Sequence, residues 1–271
     1  MPRQIGDLPH ALRQADAFEA RLAGKRPAVF LDYDGTLTPI VDRPEDAVIS
    51  EAMREAVRSM ATRCPVCVVS GRDRKVVQEL MGLDNLVVAG SHGFDIWSPD
   101  AGTIEHDAMG DGFADLLEEV KARLHEVMDP IPGALVEPKK VSVAAHYRLV
   151  AEAERAKVKA VVDELLAAHP AELKVTPGKM VFEIQPKIDW HKGKAVLHLL
   201  AVLHLDGDDT MPIFVGDDVT DEDAFRALEG RGIGVFVGRA DDPEVGERPT
   251  AADFVLANVD EVATFLDQLA R

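Results

Sequence analysis

The chain has 271 residues, of which 46% are hydrophobic and 29% are charged, a composition typical of a globular protein with one large domain or two modest ones. Its formal net charge of −18 disfavours nucleic acid and anionic membrane surfaces as partners, and it should repel a phosphorylated ligand unless local cations reverse the field. No apolar run approaches the roughly 18 to 20 residues that span a bilayer, and the N-terminus lacks the apolar core of a signal peptide, so we expect a cytoplasmic protein.

Short apolar runs alternate with helical patterns along most of the chain. The predicted strands of this kind are residues 28–31, 66–69, 85–89, 211–215, 233–237 and 253–256. The predicted helices between and after them are residues 73–81, 195–203, 221–228 and 259–269. Strands that alternate with helices favour βαβ units around a parallel sheet, and therefore an α/β class.

The middle of the chain has a different pattern. Its predicted helices are residues 113–128 and 151–168, and its half-polar strands lie within 135–147 and on either side of a predicted turn at 176–178. Half-polar strands with two helices predict a small antiparallel α+β module. We expect this module, residues 107–186, to interrupt a core domain made of residues 1–106 and 187–271.

Two cysteines, Cys64 and Cys67, have C-x-x-C spacing. A zinc site would need two more ligands at suitable spacing, and the sequence has no second cysteine pair. A redox pair usually begins a helix, whereas this pair leads into an apolar strand pattern. We therefore predict a structural role for both cysteines.

Two carboxylates, Asp32 and Asp34, stand one residue apart between the apolar run 28–31 and Gly35. Residues i and i+2 of an extended chain point to the same side, so the two side chains can converge at the end of a strand. Such proximity of like charges is unfavourable unless a cation or a proton relieves it. Because open α/β sheets bind ligands at the carboxyl ends of their strands, the pair indicates a metal-assisted site or a carboxylate nucleophile.

Three further segments carry polar residues where a predicted strand ends or a helix begins. They are Ser70-Gly71-Arg72, Lys192-Gly193-Lys194 and the acidic run from Asp217 to Asp223. A hydroxyl and backbone N–H groups at a helix start suit a phosphate oxygen, a lysine supplies a cation, and the acidic run concentrates carboxylates. Each segment alone also occurs in ordinary turns and solvated helix starts. Their combination in this order indicates phosphate chemistry.

These motifs resemble a known superfamily. The D-x-D-G-T motif at Asp32 to Thr36, the serine at 70, the lysine at 192 and the G-D-D-x-x-D motif at Gly216 to Asp221 are similar to those of the haloacid dehalogenase-like (HAD) phosphohydrolases. A closer resemblance, to the trehalose-6-phosphate phosphatases, lies in Leu31 to Thr38, Ser91-His92-Gly93, His146-Tyr147-Arg148, Trp190 to Ala195 and Gly216 to Phe225. It covers nearly the whole chain. The resemblance implies a Rossmann-like parallel sheet core with an inserted α+β cap of type C2B.

The resemblance also implies an activity. The family hydrolyses trehalose 6-phosphate to trehalose and phosphate with Mg²⁺, through an aspartyl-phosphate intermediate, as a phosphoric monoester hydrolase of trehalose biosynthesis. By this resemblance Asp32 is the nucleophile, while Asp34 acts first as general acid and then as general base. Ser70 and Lys192 would hold the phosphoryl oxygens. Lys194 competes for the cation role, but the family places that lysine directly before the glycine, which favours Lys192.

The metal ligands follow from the same resemblance. Mg²⁺ suits an all-oxygen site with few protein ligands. The implied ligands are Asp32, the main-chain carbonyl of Asp34, and Asp217, with Asp218 and Asp221 completing the acidic site.

Substrate-binding residues are expected in both domains. In the core they are Gly71, Arg72 and His92, and in the cap they are Glu137, Lys139 and Glu183. The cap residues match positions that bind the disaccharide in the family, since sugar hydroxyls need carboxylates and amines. The alternative is that the three cap residues are solvated strand positions and that His92 is structural.

Other functions remain open at this point. Another capped sugar-phosphate phosphatase, acting on sucrose 6-phosphate, mannosyl-3-phosphoglycerate or a hexose phosphate, would share the same core. A phosphosugar mutase or a catalytically inactive sugar-phosphate sensor is a further alternative, although a pure binder has no use for a nucleophile beside a general acid. We expect a small sugar phosphate as partner, no nucleic acid or membrane, a monomer, and a trehalose-6-phosphate synthase as the candidate protein partner.

Overall fold

The chain divides into two compact units in a computed structural model that describes residues 3–41, 43–104, 113–178, 180–239, 241–242, 245 and 248–270. The first unit comprises Met1–Glu105 with His191–Arg271, and the second comprises His106–Trp190. The second unit is therefore an insertion within the sequence of the first. The predicted boundary between residues 106 and 107 lies outside the described residues.

The secondary structure follows the alternating pattern of the sequence. The strands are β1 (Arg3–Gln4), β2 (Arg26–Leu31), β3 (Val66–Val69), β4 (Val87–Gly90), β5 (Asp95–Ser98), β6 (Gly102–Ile104), β7 (Leu135–Pro138), β8 (Val143–His146), β9 (Leu173–Gly178), β10 (Val181–Pro186), β11 (Thr210–Gly216), β12 (Ile233–Val237), β13 (Pro249–Thr250) and β14 (Phe254–Leu256). The helices are α1 (Ala15–Leu22), α2 (Glu51–Ala61), α3 (Arg74–Met81), α4 (Phe113–Met128), α5 (Glu152–Ala168), α6 (Lys192–Val202), α7 (Glu222–Ala227) and α8 (Val259–Leu269).

The first unit is built on a mostly parallel sheet with the strand order β14-β12-β11-β2-β3-β4-β5-β6. The strands from β14 to β4 are parallel, and β5 and β6 add an antiparallel edge. Ala28, Val29, Phe30 and Leu31 in β2 are all 0% exposed, as expected for a strand in the middle of a sheet that is covered on both faces. The α/β class with a parallel sheet core is thus confirmed.

The predicted strands and helices of this unit agree closely with the structure, with some omissions. Residues 66–69, 233–237 and 259–269 have the predicted bounds. Helix α6 begins at Lys192, three residues before the predicted start at residue 195. Helices α1 and α2 and the hairpin of β5 and β6 were not predicted.

The second unit is an antiparallel sheet with the strand order β7-β8-β10-β9 and two helices. Its apolar core joins residues of α4 and α5 to Val136, Val143, Ala145 and Ile184 of the sheet, which shows that both helices pack on the same sheet face. Helix α4 has the predicted bounds, and α5 begins one residue after the predicted start at 151. The predicted α+β character of this segment is confirmed.

One prediction in this unit is wrong. Residues 176–178 were predicted as a turn, but they lie in β9, where Thr176 pairs with Glu183. A proline and a glycine usually interrupt a strand, yet β9 is at the edge of its sheet. An edge strand tolerates a proline because the missing N–H is not needed by a further neighbour.

Two further predictions concern membrane-spanning segments and the role of the cysteines. Within the described part of the chain, the structure has no helix of the length and apolar character that crossing a bilayer requires. Cys64 and Cys67 are buried free thiols. Burial raises the pKa of Cys64 to about 12, and burial together with Cys64 raises the pKa of Cys67. Both thiols are therefore held in the unreactive protonated form, which supports a structural role.

Candidate active site

Three predicted site residues follow neighbouring strands of the parallel sheet. Asp32 comes directly after β2, Ser70 after β3 and Asp217 after β11. Strand β2 lies between β11 and β3, and the N–H of Asp32 continues its pairing by donating to the carbonyl of Val215 at 2.9 Å. The carboxyl ends of parallel strands share one edge, so the fold gathers these side chains where α/β proteins bind their ligands.

A buried lysine lies between two of the carboxylates. Lys192 Nζ is 2.7 Å from Asp32 Oδ1 and 2.6 Å from Asp221 Oδ1. Asp32, Lys192 and Asp221 are 4%, 3% and 0% exposed. A lysine at the first position of a helix is disfavoured by the helix dipole, and burying its charge is costly. The two carboxylates offset both costs, which explains how the sequence can place a cation here.

Asp221 also organises the loop that follows β11. Its Oδ2 accepts backbone N–H groups from Asp217 at 3.0 Å and from Asp218 at 2.9 Å. Asp218 and Asp221 form a capping box for the short helical turn at residues 219–221. The acidic run therefore contains two kinds of residue: Asp221 is buried and organises the loop, whereas Asp218 is exposed.

The electrostatic balance of the site is negative. Burial raises the pKa of Asp32 to about 7, against the lowering effect of Lys192. Burial, followed by the charges of Asp32 and Asp221, raises the pKa of Asp217 to about 8. Burial opposes the charge of Lys192, but Asp221 and Asp32 outweigh it and raise its pKa. The lysine stays charged, but one positive charge does not balance three ionised carboxylates, so without a further cation Asp32 and Asp217 hold protons up to about neutral pH.

The same carboxylates fit a divalent cation. One oxygen from each of Asp32, Asp217 and Asp221 lies within 4.8 Å of the others. Among the described residues, these three carboxylates are the group that could hold a metal ion. Gly35 has φ +80°, and a Cβ built on it would lie 2.0 Å from Asp217 Oδ2. Residue 35 must therefore be a glycine for the Asp217 carboxylate to lie this close to the loop after β2. Hard oxygen donors with a surplus of negative charge match Mg²⁺.

Asp34 is held by an arginine. Arg72 Nε donates to Asp34 Oδ2 and Nη2 donates to Oδ1, both at 2.6 Å. A third donor, Arg72 Nη1, binds the carbonyl of Pro44 at 2.7 Å. Asp34 raises the pKa of Arg72. Both carboxylate oxygens accept from the guanidinium, which fixes the orientation of the Asp34 carboxylate. The predicted substrate contact of Arg72 is untested, and in this structure its partner is Asp34.

The loops after β3 and β4 are bound to each other. Ser70 is 1% exposed, and its Oγ accepts the N–H of Arg72 at 3.1 Å. The N–H of His92 donates to the carbonyl of Ser70 at 2.8 Å. A Cβ on Gly71 would lie 2.7 Å from the His92 ring, so the glycine allows that ring to pack directly on the loop. His92 has φ +56°, a strained conformation for a residue with a side chain.

Predicted sugar-binding residues lie together in the second unit. Lys139 Nζ is 3.2 Å from Glu183 Oε1, and Ser142 Oγ donates to the same oxygen at 2.7 Å. Glu137 Oε2 is 2.7 Å from His146 Nε2. The side chains of Glu137, Lys139 and Glu183 are 50%, 20% and 28% exposed. These residues are paired and partly accessible on one sheet face, rather than separately solvated.

Sequence reasoning missed several contacts. It did not anticipate that Lys192 bridges Asp32 and Asp221, that Arg72 holds Asp34, or that Ser142 and His146 contact the cap carboxylates. Arg72 and Asp34 each follow a predicted strand, but their pairing depends on β3 lying next to β2 in the sheet. Sequence cannot show which strands are neighbours.

Comparison with known proteins identifies the relatives of the chain. The sequence model of a family described as "Trehalose-phosphatase" matches residues 30–260. A "Trehalose-phosphate phosphatase" of Mycobacterium tuberculosis is 40% identical over 270 residues, covering 99% of this chain and 67% of that protein. The solved structure of the Candida albicans trehalose-6-phosphate phosphatase C-terminal domain has a TM-score of 0.72 and 25% identity, covering 97% of this chain and 98% of that one.

Some relatives are much longer than this chain. An "Uncharacterized glycosyl hydrolase" of Mycobacterium tuberculosis is 42% identical over 274 residues, covering 98% of this chain and 20% of that protein. The chain therefore spans about a fifth of the length of this relative.

Proposed function

Because the chain belongs to the trehalose-phosphatase family, we propose that it hydrolyses trehalose 6-phosphate to trehalose and phosphate. The observation that carries the proposal is Asp32, which is buried at the carboxyl end of β2 against the ammonium of Lys192 and beside two further carboxylates. A carboxylate that is desolvated, oriented and next to a cation suits nucleophilic attack on an anionic phosphate ester.

The chemistry follows from two carboxylates with different surroundings. Asp32 attacks phosphorus, forming the aspartyl-phosphate as the bond from phosphorus to the sugar oxygen breaks. Asp34, when protonated, gives its proton to that departing oxygen. Asp34 then accepts a proton from the water that attacks the aspartyl-phosphate, which yields phosphate and restores Asp32.

The remaining residues of the site position the phosphoryl group. Lys192 and the hydroxyl of Ser70 stabilise its oxygens and help to reverse the repulsion expected from the negative protein. Asp32, Asp217 and Asp221 are proposed to hold Mg²⁺. When bound, the cation supplies positive charge against the carboxylates and the transferring phosphoryl group. The predicted main-chain ligand at Asp34 and the involvement of Asp218 stay predictions.

The second unit is proposed as the cap that recognises the sugar. Its paired carboxylates and lysine, Glu137, Glu183 and Lys139, supply acceptors and a donor for sugar hydroxyls. On this proposal, residues 107–186 determine the choice of sugar and the first unit performs the chemistry.

Phosphate release from a panel of sugar phosphates tests the proposal. We expect trehalose 6-phosphate to give the highest kcat/KM, well above sucrose 6-phosphate and glucose 6-phosphate, and EDTA to abolish the activity until excess Mg²⁺ restores it. Preference for a monosaccharide phosphate would overturn the substrate and leave the chemistry intact. Activity that is unaffected by EDTA would overturn the metal.

A further inference from the structure

Among the described residues of the second unit, both helices pack on one face of the sheet and the opposite face carries no helix. Val143 and Ala145 of β8 face the apolar core under α4 and α5. Successive side chains of a strand alternate between faces, so Ser142, Ala144 and His146 point to the opposite side. This opposite side, the open face, also carries the predicted sugar-binding residues.

The register places the two carboxylates on either side of β8. Ala144 pairs directly with Glu137 of β7 and with Glu183 of β10. Directly opposed residues share a face, and neighbouring strands are about 4.8 Å apart, so the backbones of the two glutamates stand roughly 10 Å apart across the short side chain of Ala144. Strand β8 therefore forms the floor between them.

Each carboxylate has a partner two residues from Ala144: His146 lies within β8, and Ser142 lies directly before it. His146 Nε2 is 2.7 Å from Glu137 Oε2, and Ser142 Oγ donates to Glu183 Oε1 at 2.7 Å. Residues diagonally placed on adjacent strands are within reach of each other, as both contacts require. The bond to His146 lowers the pKa of Glu137.

These contacts restrict two otherwise flexible side chains. A glutamate has three side-chain torsions, and ordering it on binding a ligand costs free energy that a prior hydrogen bond removes. A bond to one oxygen also fixes the direction of the second oxygen. Ser142 is 2% exposed, so its hydroxyl is held within the sheet and directed at Glu183.

We propose that Ser142 and His146 are positioning residues for sugar recognition. Ser142 fixes Glu183, and His146 fixes Glu137, in orientations that accept hydrogen bonds from the hydroxyl groups of the sugar. The inference rests on the proposed function, because it assigns the two glutamates to the substrate. It adds Ser142 and His146 to the determinants of specificity, and neither is expected to touch phosphate or metal.

Comparing two substrates distinguishes a role in sugar recognition from a general effect on catalysis or folding. Trehalose 6-phosphate requires both the phosphate chemistry and the sugar contacts, whereas p-nitrophenyl phosphate has no sugar. We expect Ser142→Ala and His146→Ala each to lower kcat/KM for trehalose 6-phosphate about tenfold, the scale of losing one hydrogen bond to a charged group. The loss should appear mainly in KM, and kcat/KM for p-nitrophenyl phosphate should stay within about twofold of the unaltered chain, the scale of a substitution that disturbs nothing else.

Matched variants provide the controls. Ser142→Thr keeps the hydroxyl and should recover most of the loss. His125 of helix α4 pairs with Asp129, directly after the helix, at 2.9 Å on the covered side of the sheet, so His125→Ala removes a similar histidine–carboxylate pair without affecting the open face. We expect this variant to have the activity of the unaltered chain on both substrates.

The outcomes are distinct. Unchanged KM for trehalose 6-phosphate in both variants overturns the positioning role, and so does an equal loss on both substrates. If the unaltered chain prefers another sugar phosphate, the proposed substrate is wrong, and the same ratio measured with that sugar phosphate decides the positioning role. If it hydrolyses p-nitrophenyl phosphate but no sugar phosphate, both proposals fail.

Discussion

The charge at the candidate active site depends on a single lysine. Lys192 is buried between Asp32 and Asp221, and Asp217 is a third carboxylate of the same cluster. Removing one member of a buried charged group leaves the others uncompensated, which usually costs more than the net value of the pair. At the residue scale, catalysis and local stability therefore depend on the same contacts.

Replacing Lys192 and Lys194 in turn decides which of the two lysines supplies the positive charge of the site. We expect Lys192→Ala to lower kcat at least about 10²-fold, the scale of losing one electrostatic stabiliser of the transition state. Lys194→Ala, two residues further along α6, should retain activity within a few-fold. Circular dichroism should establish first that both variants are folded. Near-full activity of Lys192→Ala would refute the role of the lysine.

Gly35 offers a test of the metal cluster that does not remove a carboxylate. A Cβ at Gly35 would lie 2.0 Å from Asp217 Oδ2, so Gly35→Ala should displace Asp217 and abolish the stabilisation of the protein by Mg²⁺. Gly24 is the matched control, since it has a similar positive φ of +72° with nothing within 4 Å of the added Cβ. Both variants bear the same backbone strain, about 1 kcal/mol.

Thermal unfolding with and without Mg²⁺ measures the difference. The melting temperature of the unaltered chain and of Gly24→Ala should rise with added Mg²⁺, and that of Gly35→Ala should not. A full Mg²⁺-induced shift in Gly35→Ala would show that Asp217 is not needed for binding.

At the scale of elements, the predicted strand bounds are most accurate where the strand is a short, wholly apolar run that is buried in the sheet. Residues 66–69 and 233–237 are short, wholly apolar runs, and their strands have the predicted bounds. Helix α2 was not predicted, although it is amphipathic and the side chain of Ser50 caps it by accepting the N–H of Met53. Its start signal was a serine before residues with 3.6-fold periodicity.

Other elements depend on tertiary contacts. The hairpin of β5 and β6 extends the sheet beyond β4, and short strands at an edge are specified by their neighbours more than by their own pattern. The strand at 176–178 contains a proline and a glycine, which local rules assign to a turn. Pairing with β10 overrides that local preference.

The site was predictable in membership but not in contacts. Asp32, Lys192, Asp217 and Asp221 were predicted from the order of the motifs and from the resemblance, and the fold brings the four side chains together, while their roles stay predictions. The pairing of Arg72 with Asp34 requires that β2 and β3 are neighbours, which follows from topology alone.

The two helices of the second unit are linked by a pH-dependent contact. His169, which follows α5, lies 3.2 Å from Glu172 and 3.1 Å from Glu119 of α4. The hydrogen bond to Glu172, and then that to Glu119, raises the pKa of His169. A raised pKa in the folded state means that the contact stabilises the protein fully below the unfolded pKa and is lost as the pH rises through the folded one.

We therefore expect His169→Gln to lower the melting temperature at about pH 6 and to have no effect at about pH 9. The effect should be small, because the groups are exposed, and salt at about 1 M should reduce it by screening. Differential scanning calorimetry across this range provides the measurement. A destabilisation that is constant with pH would instead indicate lost packing.

At the scale of the whole molecule, the apolar core is divided in the same way as the chain. One buried cluster consists of residues from the first unit, including Leu266 of α8, and another consists of residues from the second unit, including Leu124 of α4. Each unit thus has its own core, and a compact unit with its own core is the usual basis of a cooperative folding unit. An insertion built in this way can vary in sequence without disturbing the chemistry of the domain that carries it.

Two matched leucine substitutions test this division. Leu124 and Leu266 are both 0% exposed and helical, and each should lose about 2–5 kcal/mol of local stability on truncation to alanine. Hydrogen exchange followed by mass spectrometry should show faster exchange in residues 113–184 for Leu124→Ala, and in the sheet around β2, β11 and β12 for Leu266→Ala. The first variant should also keep p-nitrophenyl phosphate hydrolysis, because the proposed catalytic residues belong to the other unit. If either substitution accelerated exchange equally throughout the chain, the two cores would form one cooperative body, and the sugar specificity proposed for the insertion could not vary independently of the catalytic domain.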